Sequence, residues 1–153
     1  MGLSYSTLAI CETVTGGVTV PSLCTTFGRV NVIVRSNGKV FQIKSTAIDS
    51  MGVSDSSSPV KPYCTNATTS APCFAQFTSK ANLTDVTNPL SPISLGGNLT
   101  LQLIMTDKGE PGSGDSIGIT VTGSDGLYYS SNWSGTPPRT QEQGLNGGNL
   151  VVH

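Results

Sequence analysis

The sequence predicts an all-β protein, an antiparallel sandwich of about eight or nine short strands in a single domain over residues 1–153. Three observations predict it. Apolar residues recur at every second position in several runs, and turn-forming residues punctuate those runs. No stretch of useful length carries a 3.6-residue period, and the abundance of Thr, Val, Gly and Pro disfavours helix throughout.

Taken in order, strands are expected near 4–10, 13–20, 28–35, 39–48, 74–86, 97–106, 115–122, 126–133 and 148–153. Val30, Val32 and Val34 alternate with Asn31, Ile33 and Arg35, and the pattern resumes at Val40-Phe41-Gln42-Ile43-Lys44. Between them Asn37-Gly38 is the preferred two-residue hairpin turn, because both residues tolerate positive φ. Leu99, Leu101, Leu103 and Met105 form one apolar face, and Ile117, Ile119 and Val121 another. Ser124-Asp125-Gly126 signals a second hairpin, leading into Leu127, Tyr129 and Trp133, which are expected to share a buried face. Residues 49–72, rich in Ser, Pro and Thr, read as an irregular insertion pinned by a cysteine pair.

Only 11% of residues are charged, the net charge is −1, and about a quarter of the chain is Ser or Thr. Nucleic acid and anionic membranes both require clustered Lys and Arg, so neither is an expected partner. No apolar run approaches the roughly 18 residues of a membrane span, and the N-terminus lacks the basic start and apolar core of a signal peptide. Membrane insertion is therefore not expected. The four cysteines fall into two close pairs, Cys11 with Cys24 and Cys64 with Cys73, each flanking turn residues. Sequence-local disulfides are predicted, and with them an oxidising, extracellular setting; free structural thiols are the alternative. Zinc lacks support, since the spacing is wrong and the one histidine is the terminal His153, itself a poor catalytic base at a position expected to fray. Sequons at Asn66, Asn82, Asn98 and Asn132 are compatible with that setting but arise readily by chance in such a Ser/Thr-rich chain.

Three of the nine carboxylates lie in one loop, Thr106-Asp107-Lys108-Gly109-Glu110-Pro111-Gly112-Ser113-Gly114-Asp115. Calcium takes about six to eight oxygens, and Asp107, Glu110 and Asp115 with loop carbonyls are its candidate ligands, the one cofactor site the sequence suggests. The favoured alternative is that Asp107 and Asp115 accept backbone N–H groups in consecutive turns. Tyr128, Asn132 and Trp133 form the candidate ligand-binding set. Tyr128 is expected to point away from the buried face, where an exposed ring beside an amide can stack on a sugar; packing is the favoured role for the aromatics as a class.

The run Leu103-Ile104-Met105-Thr106-Asp107-Lys108-Gly109-Glu110-Pro111-Gly112 with Asp115-Ser116-Ile117-Gly118-Ile119, and the closing Gly147-Gly148-Asn149-Leu150-Val151-Val152-His153, resemble modules at the C-terminal ends of large secreted bacterial surface proteins. Thr15-Gly16-Gly17 and Phe27-Gly28 fit the same layout, so the resemblance spans most of the chain. It implies an immunoglobulin-like β-sandwich with a structural or adhesive role and no assigned catalytic residues. The paired cysteines and the 49–72 insertion depart from that pattern. The expectation is a non-enzymatic extracellular module whose partners are other surface proteins, identical subunits or glycans. A carbohydrate-binding module is the first alternative. The second is a fibre subunit donating the apolar segment Leu3–Ile10 to a neighbour's sheet edge, against which stands pairing of that segment within its own fold.

Overall fold

The computed structural model describes residues 2–5, 12–15, 18–21, 30–57, 60–61, 64–110, 114–146, 150 and 152. Among them there is no helix. Twelve strands are present: β1 (Gly2–Tyr5), β2 (Glu12–Thr15), β3 (Val18–Pro21), β4 (Val30–Ser36), β5 (Lys39–Asp55), β6 (Cys73–Asp85), β7 (Ile93–Asp107), β8 (Ser116–Gly123), β9 (Gly126–Ser130), β10 (Trp133–Ser134), β11 (Arg139–Thr140) and β12 (Gln143–Gly144). Eight of them make one curled antiparallel sheet in the order β1-β4-β5-β6-β7-β8, with the outer edge of β8 shared between β9 and β12. β2–β3 and β10–β11 are separate two-stranded ribbons. No described helix is long and apolar enough to cross a membrane.

The period-two alternation does what it predicts. Val30 and Val32, Ile43, Phe77 and Ala81, Leu99, Leu101 and Leu103, and Ile117, Ile119 and Val121 are buried in one cluster. Register explains the cluster, because Val32, Ile43 and Leu83 sit side by side across three strands, as do Phe77, Leu103 and Ile119. The sheet curls, so residues of β4 and of β8, four strands apart, share that core. The Asn37-Gly38 turn joins β4 to β5 with φ of 50° and 75°, the doubly positive geometry that suits the strands' twist.

Several boundaries differ from expectation. β5 runs on to Asp55, well into the segment expected to be irregular. Two β-bulges are the reason: the pairing skips Thr46, between Ser45↔Ala81 and Ala47↔Lys80, and Asp49, between Ile48↔Ser79 and Ser50↔Thr78. Each extra residue shifts the parity by one, so Ile43, Ser45, Ile48, Met51 and Val53 all oppose core-facing β6 residues although the sequence alternation breaks. The irregular part begins after Asp55. The run 13–20 is a hairpin of two strands, β2 and β3, rather than one strand. The run 126–133 divides into β9 and β10, and the described residues of the last run, Leu150 and Val152, are in no strand.

The expected shared face of Leu127, Tyr129 and Trp133 is also corrected. Val121 pairs with Tyr129 but Thr122 pairs with Leu127, leaving Tyr128 as the extra residue of a bulge. Tyr129 therefore packs on the core, Leu127 faces outward with Thr122, and Trp133 is exposed on the small β10–β11 ribbon. β1 pairs with β4 through Gly2↔Ile33 to Tyr5↔Val30, so the described part of the expected donor segment is used within its own sheet. The rest of that segment lies outside the described residues.

Candidate functional site

At one end of the sheet three segments converge: the connection after β5, the β7–β8 loop and the C-terminal residues. Cys64 and Cys73 form a disulfide with Cα atoms 5.8 Å apart, as their local spacing predicts. The expected Cys11–Cys24 bridge lies outside the described residues, as does His153. The half of the connection nearest β5 is held by Asp55, whose Oδ1 accepts the N–H groups of Lys61 (2.8 Å) and Ser57 (3.2 Å) and the Ser57 hydroxyl (2.7 Å). The Lys61 N–H first, then the Ser57 hydroxyl, hold the Asp55 carboxyl below the ordinary aspartate range.

Asp107 ends β7 and Asp115 precedes β8, and both are buried, at 3% and 0% exposure. Asp107 Oδ1 accepts the Gly109 N–H (2.8 Å) and Asp115 Oδ1 the Lys108 N–H (2.9 Å), so each shapes the loop. Their second oxygens reach across the molecule: Asp107 Oδ2 accepts from Val152 N–H at 2.8 Å and Asp115 Oδ2 from Leu150 N–H at 3.2 Å. The main-chain carbonyl of Asp115 accepts the Leu145 N–H as well (2.9 Å). Burying an ionised carboxylate is costly unless each oxygen finds donors, and here all four oxygens do. The two halves of the sequence motif are thus one unit. Asp107 and Asp115 clasp the C-terminal segment, and the side chains of Leu150 and Val152 close a second small core with Cys64 and Cys73, against Val53, Ala67, Ala75, Met105 and Leu145.

Gly109 shows how closely the loops are pressed. Its φ is +93°, and a Cβ there would stand 2.5 Å from the Ala67 carbonyl oxygen. Glu110 is exposed, unlike the two buried acids. Among the described residues no three His, Cys, Asp or Glu side chains gather as a metal would require. Asp107 and Asp115 direct their oxygens at main-chain N–H groups.

The candidate ligand-binding residues are spread along β9 and beyond. Tyr128 lies over two glycines: a Cβ on Gly123 would meet its Cε2 at 2.8 Å, and one on Gly96 its Cε1 at 3.3 Å. The ring covers bare backbone while remaining 39% exposed. Asn132 is half-buried at the bend after β9, its carbonyl accepting the Gln141 N–H (2.8 Å), and Trp133 follows on β10. Tyr128 lies in the middle of β9 and Trp133 on β10, three residues past the end of β9. Behind β9, hydroxyls link the sheet to β11: Thr120 Oγ1 donates to Thr140 Oγ1 (2.6 Å), which also bonds Ser130 Oγ (2.8 Å). Ser116 Oγ donates to Glu142 Oε2 beside them.

Sequence reasoning missed Leu150 and Val152 as clasp residues. Their signals in the sequence are the short apolar run Leu150-Val151-Val152, which reads as a strand, and their place in the closing motif, neither of which points to the two aspartates. Comparison with known proteins adds no assignment: no protein-family model matches the chain, and no curated protein or solved structure matches it either.

Proposed function

We propose that this chain is a non-enzymatic structural or adhesion module of a secreted or cell-surface protein, its curled sheet belonging to an immunoglobulin-like sandwich. The observation that carries the reading is the use made of the motif carboxylates. All four oxygens of Asp107 and Asp115 accept main-chain N–H groups. A general acid, general base or metal ligand must present an oxygen to substrate or ion, whereas these face the chain's own backbone. The Cys64–Cys73 bridge suits an oxidising compartment, and the sequence resemblance to bacterial surface modules points the same way. The test is turnover of a panel of polysaccharide and ester substrates by the purified protein. No turnover above the blank is expected; hydrolysis that disappears on substituting a single carboxylate would overturn the reading.

A second reading, a carbohydrate-binding module, draws on Tyr128, a part-exposed ring that packs against Gly96 and Gly123. Such a ring is pre-positioned to stack on a sugar. A glycan array separates the two readings, because specific binding lost in Tyr128→Ala would favour this one. Binding unchanged by Tyr128→Ala would remove its basis.

A further inference from the structure

The fold treats the four sequons differently. Asn66, Asn82 and Asn98 are exposed, whereas Asn132 is half-buried at the bend after β9, its main-chain carbonyl tied to the Gln141 N–H. Asn66 and Thr68 stand on either side of Ala67, which packs on the second core and brings its carbonyl against Gly109. The docked alanine leaves both of its neighbours in solvent. The Cys64–Cys73 bridge closes that short loop, and Thr68 and Ala71 bond each other's main chain in both directions, at 3.0 and 3.1 Å.

Asn82 lies between the buried Ala81 and Leu83, on the face of the sheet turned away from the core. A bulge brings Asn98 to it: between Ala81↔Leu99 and Leu83↔Gly96, both Gly97 and Asn98 of β7 oppose the single Asn82 of β6. Asn82 Oδ1 accepts the Asn98 N–H at 3.3 Å. Only the oxygen of a carboxamide accepts, so this bond fixes which way the Asn82 amide is turned. Among the described residues nothing bonds Asn82 Nδ2. A sugar on that nitrogen replaces one hydrogen and leaves the oxygen to go on accepting. Thr84, two residues on, shares the outward face, as a strand's period of two requires.

On the extracellular reading above, we propose that Asn66, Asn82 and Asn98 carry N-linked sugar and that Asn132 does not. The donor is a sugar diphosphate, built on a lipid or on a nucleotide. Nδ2 bonds to C1 of the sugar and gives up one proton, while the C1–O bond breaks and the diphosphate leaves with its electron pair. Nothing is oxidised or reduced. With 11% of its residues charged, the chain has few ions to hydrate its surface. Leu95, three positions before Asn98, is 42% exposed, and Ile93 beyond it is open as well. Sugars on Asn82 and Asn98 set hydroxyls beside that apolar stretch.

Peptide mapping by mass spectrometry of the full-length protein from its natural source tests the assignment and needs no variant. Expected are peptides whose mass is raised by sugar at Asn66, Asn82 and Asn98, and a bare Asn132. Release by peptide N-glycosidase, which leaves aspartate, marks an oligosaccharide from a lipid donor; a single hexose that resists the enzyme marks a nucleotide donor. A bare asparagine at any of the three removes that site, and sugar on Asn132, or on none of the three, overturns the proposal. The same digest without reductant reads the Cys64–Cys73 bridge. Bare asparagines beside an intact bridge, in protein collected outside the cell, overturn the sugar sites alone. Bare asparagines and free thiols in protein retained inside the cell overturn the extracellular reading too.

Discussion

The two ends of the curled sheet are closed in different ways. At one end the strands turn over short connections: Asn37-Gly38 between β4 and β5, Ser124-Asp125 between β8 and β9, and residues 86–92 between β6 and β7. Sequence-local bonds are made there, such as the Thr87 N–H to Asp85 Oδ1 (2.9 Å) and the Ser91 N–H to the Asn88 carbonyl (3.0 Å). Large apolar side chains are left on the surface, with Leu90 93% exposed and Ile93, Leu95 and Leu127 also open. At the other end long segments must be gathered, and the ladder cannot do it. A disulfide, two buried carboxylates and a separate apolar cluster hold that end. Where turn chemistry closes an end, side chains are free to face solvent; where it does not, side chains become the fastening.

If that contrast is right, the same kind of change should cost far more at the clasp end. Asp115→Ala strands the Lys108 and Leu150 N–H groups in a buried site and should destabilise by about 4 kcal/mol in chemical denaturation, since each orphaned donor costs roughly 1–3 kcal/mol. Opening the disulfide with Cys64→Ser/Cys73→Ser should cost about 3 kcal/mol, the loop-closure value for a short cross-link. Glycines allow a matched comparison. Gly109 and Gly38 both have positive φ, but only at Gly109 would a Cβ also strike backbone. Gly109→Ala should therefore cost about 2 kcal/mol or more and Gly38→Ala about 1 kcal/mol, read from thermal or chemical unfolding. Leu90→Ser, at the open end, should stay within about 0.5 kcal/mol. Equal costs for the two glycine variants would break the comparison.

The two ends also differ in how far the sequence reveals them. The turn at Asn37-Gly38, the turn at Ser124-Asp125 and the alternating faces of β7 and β8 are legible because the determinants lie within a few residues of one another. β5 was legible only to Ile48, since the bulges at Thr46 and Asp49 disturb a period of two while preserving the buried face. The bulge at Tyr128 likewise turned Leu127 outward against its parity. At the clasp, the sequence placed Asp107 and Asp115 as backbone acceptors but not their distant donors. Those bonds join residues 35 and 45 positions apart, and no local pattern specifies such partners. The Cys64–Cys73 pairing was legible because the two are nine positions apart.

Amide hydrogen exchange at Leu150 and Val152 tests the clasp most directly, with the core amides of Leu101 and Ile119 as internal reference. In the wild-type protein both C-terminal amides should be protected. Asp115→Ala should abolish protection at Leu150 and Asp107→Ala at Val152, while the two core amides stay slow. Unprotected C-terminal amides in the wild type, or protection unchanged in both variants, would contradict the assignment of these carboxylates as the fastening of the C-terminal segment.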